Sequence, residues 1–175
     1  MNHSICLVIF WGLWHPVKMN STAAIPPPTG AAFLLAQLGA HGARRFGERI
    51  KVINLTPPHA GILRLIASMP ECSQKSLAER LGILPSRMVI LIDELDAKGL
   101  VKRHRSTEDR RNYALALTKH GEKVLQQLSR LAAEHEADFC AVLNAEEKST
   151  LAKLCRKIAA HQGLTPGVHP GYRDL

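Results

Sequence analysis

Between Lys98 and Arg111 the chain reads KGLVKRHRSTEDRR, in which Lys98, Lys102, Arg103, Arg105, Arg110 and Arg111 stand against Glu108 and Asp109, a net charge of +4. That is half of the +8 carried by all 175 residues. Cations at this density can neutralise phosphates, which gives an affinity that falls with salt and reads no sequence. A solvated basic loop is the alternative, because positive surface segments are common. The residues upstream favour the first reading. Leu77 and Leu81 face one side of a short segment that stops at Gly82, and a second segment runs from Pro85 to Lys98 with Gly99 behind it. Two short helices joined by a tight turn, followed by a basic hairpin, make the order of a winged helix-turn-helix, whose second helix enters the major groove of a DNA duplex.

Within that second helix, positions 84, 88, 91, 92 and 95 are all Leu, Met or Ile and are expected on the core side, which leaves Ser86, Arg87, Ile90 and Glu94 on the other. Ser86 and Arg87 fall in the first turn, where side chains and backbone amides meet phosphates or base edges, and an arginine matches guanine as a bidentate donor. Arg87 is therefore the first candidate for sequence readout. Gln74, Lys75 and Ser76 open the preceding helix and are expected to position a phosphate, although Lys75 also suits a plain surface site. Arg103 and Arg105, alternating along the first strand of the hairpin, are expected to contact phosphates.

Other chemistry finds little support. Aromatic residues make up only 5% of the chain, too few for the stacking platforms of a single-strand binder. No glycine-rich phosphate loop and no Ser, His and Asp spacing of a nucleophile is present, so no catalytic residue, no cofactor and no enzymatic activity are expected. Glu134, His135, Glu136, Asp138 and Cys140 have ligand atoms but fall on different helix faces without a metal-binding spacing, so no metal site is expected. Cys6, Cys72, Cys140 and Cys155 match neither a zinc ribbon nor a disulfide framework, which favours a reducing, cytoplasmic setting. The apolar run Ile5 to Trp14 falls short of the roughly 20 residues that span a bilayer, so no membrane partner is expected. Met1 to Ser4 lack the basic residues of a secretion signal, and translation is expected to start at Met19.

The elements that position these residues follow from periodicity and punctuation. Residues 1–30 form an apolar leader and a proline-rich connector, Ile25 to Gly30, that cannot be helical. A first helix over residues 31–54 carries Leu34, Leu35, Leu38, Phe46, Ile50 and Ile53, with Gly39 and Gly42 permitting close packing or a bend. Thr56 caps a second helix that starts on proline and must end before Pro70. Residues 55–118 hold the helix-turn-helix and its hairpin, in which Val101, Arg103 and Arg105 and then Tyr113, Leu115 and Leu117 alternate around a polar loop. Thr118 opens a long helix, Asn144 breaks it, and a last helix completes residues 119–163. The Gly- and Pro-rich tail over 164–175 is expected to be loose. The fold class is thus mainly α with a small β-hairpin wing.

Four segments in this order, Thr56-Pro57-Pro58-His59-Ala60, Leu77-Ala78-Glu79-Arg80-Leu81-Gly82, Asp93-Glu94-Leu95 with Lys98-Gly99-Leu100-Val101, and Asp109-Arg110-Arg111 followed by Leu115-Ala116-Leu117-Thr118, resemble the MarR (multiple antibiotic resistance regulator) family. The resemblance covers about residues 31–160, essentially everything after the prolines. It implies a winged helix-turn-helix flanked by N- and C-terminal dimerisation helices. It further implies a homodimeric transcription factor, usually a repressor, acting on a pseudo-palindromic double-stranded DNA operator. Affinity for DNA would fall when a small aromatic or anionic effector binds. The resemblance also puts Arg111 or Arg110 in the minor groove, with Asp109 pairing an arginine to shape the wing; Asp109 suits a plain turn equally. Family members often carry Ser or Thr and then Arg where this chain has Val89 and Ile90, so Ile90 either meets a thymine methyl or covers core. For an anionic effector, His41, Arg45, His59 and Arg64 are available near the junction of the first two helices. A protein-binding winged helix without DNA specificity and a thiol-based redox sensor are the rival readings. Cys6 and Cys72 match the sensing position poorly, and a buried cysteine acting as a small hydrophobe is the better expectation.

Overall fold

The computed structural model describes residues 30–69, 71–105 and 113–174. The leader run, Met19, all but the last residue of the proline connector, and the wing tip with Asp109, Arg110 and Arg111 lie outside the described residues. The elements are α1 (Ala31–Ile50), α2 (Pro57–Ser68), α3 (Gln74–Leu81), α4 (Pro85–Ala97), β1 (Val101–Arg105), β2 (Tyr113–Leu117), α5 (Lys119–Phe139) and α6 (Ala145–His161). Short 3-10 turns, Lys51–Ile53 and Pro170–Asp174, follow α1 and the last helix.

Local chemistry accounts for most boundaries. Ser73 Oγ accepts the Ser76 amide at 3.1 Å to start α3, Thr118 Oγ1 accepts the Gly121 amide at 2.9 Å to start α5, and Asn144 exchanges two hydrogen bonds with Glu147 to start α6. Gly82 and Gly99 sit at φ 67° and 66°, left-handed conformations that stop α3 and α4. Strands β1 and β2 pair antiparallel, Val101 opposite Leu117 and Arg105 opposite Tyr113, as the alternation implied.

The core lies under the helix-turn-helix. Ile62 and Leu63 of α2, Leu77 of α3, Met88, Leu91, Ile92 and Leu95 of α4, Val101 of β1 and Leu128 of α5 are fully buried together. Leu84 departs from the expected core stripe and is 63% exposed. As the N-cap of α4 it has extended rather than helical backbone, so its side chain leaves the helical stripe. Helices α1 and α5 pack through Gly42, where an added Cβ would stand 3.2 Å from Phe139 Cζ, and through Arg49, which pairs with Glu134 and Asp138. The His135 ring packs between Phe46 and Phe139. Glu134, His135 and Asp138 thus have partners within the α1–α5 packing.

Two apolar stripes stay uncovered: Phe33, Leu34, Leu35 and Leu38 on α1, and Leu151, Leu154 and Ile158 on α6. The tail departs from its expected looseness. Val168 and Tyr172 pack against the core, and the Tyr172 hydroxyl donates to the Pro57 carbonyl at 3.0 Å. Its ring takes the space that Gly61 leaves open on α2, which the Gly- and Pro-rich composition did not reveal.

Candidate nucleic-acid interface

Helix α4 is held along both flanks. On one side Glu94, first read as part of the outward face, accepts from His59 Nε2 at 2.7 Å. On the other side Arg103 of β1 reaches Asp93 at 2.5 Å and Asp96 at 3.3 Å. Between these flanks Ser86 is exposed together with Val89 and Ile90 one turn further on, on a single stripe, with Arg87 half-buried at its edge. An exposed helix face fixed in orientation on both sides is what a rigid reader of a groove requires.

Arg103 therefore differs from its expected part: its guanidinium ties the wing to α4, and two carboxylates already offset its charge. Lys102 and Arg105 on the same strand are exposed. In α3, Lys75 is exposed and lies 4.0 Å from Glu79, while the Ser76 hydroxyl donates to the Ser73 carbonyl at 2.8 Å and so serves the cap. Gln74 is half-buried.

His59 is 3% exposed and also differs from its expected part, that of an effector ligand. Its Nδ1 accepts the Thr56 amide at 3.3 Å, which places the ring proton on Nε2, facing Glu94. Burial lowers its pKa, opposed by the Glu94 hydrogen bond and charge and assisted by Lys98 and Arg87. A folded-state pKa below the unfolded value means that the unfolded chain binds more protons. The stabilisation is then complete above about pH 6.5 and is lost as pH falls toward the folded-state value. Urea titrations from pH 7.5 to 5.5 should show stability declining by up to about 1.4 kcal/mol per pH unit. His59→Gln keeps an acceptor for Thr56 and removes part of that slope; His135, lowered by burial and by Arg49 and Arg45, supplies a remainder.

A cleft of about 460 Å³ opens between α1, α2, α3, α5 and the tail. Phe46, Leu65 and Leu125 give it apolar walls, and Arg64 and Arg80 make it electropositive. Of the four residues expected to meet an effector, only Arg64 lines it. The His41 ring of α1 lies 6.2 Å from the Phe139 ring of α5, and Arg45 is exposed on α1. Arg80 and Tyr172 were missed. Arg80 looked like an ordinary charge within a helix-turn-helix segment, and Tyr172 lay in a segment read as loose.

Residues 53–112, from the 3-10 turn after α1 to the wing, match the family model described as MarR family. A Thauera aromatica protein described as "Putative transcriptional regulatory protein for hcr operon" is 32% identical over 124 residues, 70% of this chain and 75% of that one. The chain belongs to the MarR family. Among solved structures, the transcriptional repressor CouR bound to a 23-mer DNA duplex superposes with a TM-score of 0.67 at 29% identity, over 74% of this chain and 92% of that one. The PcaV transcriptional regulator from Streptomyces coelicolor gives 0.63 at 26% identity, over 78% of this chain and all of that one. This MarR-family protein is a transcriptional regulator of the winged helix-turn-helix type, with the mainly α architecture and hairpin wing that its sequence implied.

In this MarR-family chain burial pushes the Cys72 thiol up, and Cys140 is raised as well, first by desolvation and then by Glu136. Both shifts reduce the thiolate fraction on which redox sensing depends. Among the described residues no helix is long and apolar enough to cross a membrane.

Proposed function

We propose that this MarR-family regulator is a homodimeric, effector-responsive repressor that binds a pseudo-palindromic DNA duplex in the cytoplasm and acts by binding rather than by catalysis. The observation that carries the reading is the exposed Ser86–Val89–Ile90 stripe on an α4 held at both flanks, with Arg87 beside it. Gln74, Lys75 and Arg105 serve phosphates in this reading, together with Lys102. Ser86, Arg87 and Ile90 meet base edges, and Arg110 or Arg111 enters the minor groove. Homodimerisation is supported by the apolar stripes of α1 and α6, which a second copy would bury. The relative bound to a duplex supports a DNA partner. The electropositive cleft suits an aromatic or anionic effector, whose binding must favour a spacing of the two lobes that does not fit DNA.

Selection of bound sequences from a random duplex pool at near-physiological salt tests the reading. An enriched palindrome with half-sites about one helical turn apart is expected. A folded dimer that enriches nothing would shift the function to protein interaction. The ion pairs of Arg103 add a sharper expectation. Lys102→Ala should reduce the slope of log affinity against log salt by about 0.9, the value for one phosphate contact. Arg103→Ala should change that slope much less, because Asp93 and Asp96 already offset its charge. Equal slopes for the two variants would mean that Arg103 leaves its carboxylates and contacts phosphate.

A further inference from the structure

We infer that the tail segment Pro166–Tyr172 is a built-in occupant of the cleft, in which the Tyr172 phenol fills the ring position that a small phenolic molecule takes only by expelling the tail. The consequence for regulation rests on the effector reading above.

Four observations carry it. The Tyr172 hydroxyl donates to the Pro57 carbonyl at 3.0 Å, an acceptor in the first turn of α2, where the Pro58 and Gly61 positions follow. Gly61 lies under the phenol: a Cβ added there would stand 2.8 Å from its hydroxyl oxygen and 2.9 Å from Cε2. Glycine costs a helix interior about 1 kcal/mol relative to alanine, so here it provides space for a ring at the expense of helix propensity. Val168 and Tyr172 both pack on the hydrophobic core, yet the same two residues, with Pro166 and Gly167, form one wall of the cleft. Arg64 lies close enough to the phenol to favour its ionised form, against the burial that raises its pKa.

The α2 side of the cleft therefore already holds a para-substituted phenol, its hydroxyl satisfied and a guanidinium nearby, as part of the cleft wall. A free phenol of the same shape competes for the same contacts, and its apparent affinity is reduced by the fraction of chains whose tail is docked. Gly163, between α6 and the tail, and Gly167, within the tail, both sit at positive φ, turns that glycine adopts without steric cost.

The experiment uses the full chain and p-cresol, which is the tyrosine side chain as a free molecule. The chain has two tyrosines, Tyr172 and the 61% exposed Tyr113, so 3-fluorotyrosine labelling yields two fluorine resonances, one of them a solvent reference. Adding p-cresol should move the Tyr172 resonance toward the exposed position and leave Tyr113 in place, and Tyr172→Ala should bind p-cresol at least about tenfold more tightly than the parent. Gly61→Ala, which retains Tyr172 and improves helix propensity, should move the Tyr172 resonance to the exposed position without p-cresol. Equal p-cresol affinities in parent and Tyr172→Ala, no binding to either, or a Tyr172 resonance unmoved by Gly61→Ala would each overturn the inference. Duplex affinity measured in the same titrations separates the two readings. Tight p-cresol binding to Tyr172→Ala with unchanged duplex affinity keeps the tail as occupant and removes the effector reading. Equal p-cresol affinities with weakened duplex binding do the reverse.

Discussion

Replacing Gly121 by alanine should lower the folding free energy by about 3 kcal/mol, at the upper end of overpacking costs, and reduce the thermal midpoint by about 6–12 °C. An added Cβ would stand 2.0 Å from the Leu100 carbonyl oxygen and 2.9 Å from its carbon. These are backbone atoms, and they cannot swing aside as a side chain can. The Leu100 carbonyl also accepts the Thr118 amide at 3.0 Å, and the Thr118 hydroxyl donates to the Gly99 carbonyl at 2.6 Å while capping α5. Relief of the clash therefore separates the start of α5 from the start of the wing and disrupts the two bonds from Thr118 that cross between them. Urea unfolding followed by circular dichroism measures the loss. A variant within about 0.5 kcal/mol of the parent would show that α5 can slide along β1 without penalty.

Arg87→Ala should weaken binding to the selected operator by about 1–3 kcal/mol, roughly 5- to 150-fold, while binding to unrelated duplexes changes little. The side chain emerges from the first turn of α4, beside the exposed stripe, where a bidentate contact to guanine is within an arginine's repertoire. Loss of a phosphate contact would weaken all duplexes alike and reduce the salt slope; loss of a base contact relaxes preference at one position. Repeating the duplex selection with the variant distinguishes them. Uniform weakening would assign Arg87 to the backbone and leave Ser86, Val89 and Ile90 as the readers.

The parts of the molecule legible in the chain are those governed by neighbours within a turn or two. Caps at Thr118 and Asn144, stops at Gly82 and Gly99, and the pairing of Val101 to Arg105 with Tyr113 to Leu117 depend on side chains and backbone close in sequence. The α4 stripe of Met88, Leu91, Ile92 and Leu95 was legible for the same reason, since helical period alone puts them on one side. Leu84 was misplaced because the period was extended one residue past the point where the helix begins. Glu94 is exposed, as the helical period places it, but that geometry has no means of showing that His59, 35 residues earlier, lies beside it.

The sequence by itself determined the order of elements, the basic wing, the apolar stripe of α4 and the family to which the chain belongs. Only the tertiary structure decided how those elements are joined. Arg103 became a tie between wing and α4 because two aspartates one turn apart present their carboxylates to β1. His59 became a buried strut because α2 and α4 meet there, and Tyr172 came to rest on α2 at the cleft wall because Gly61, 111 positions earlier, leaves room for its ring. Turns, caps and periodicity are set by short-range sterics and hydrogen bonds that a linear sequence displays. Ion pairs and cavities between distant segments depend on which surfaces hydrophobic burial brings face to face, and that is known only once the chain has packed.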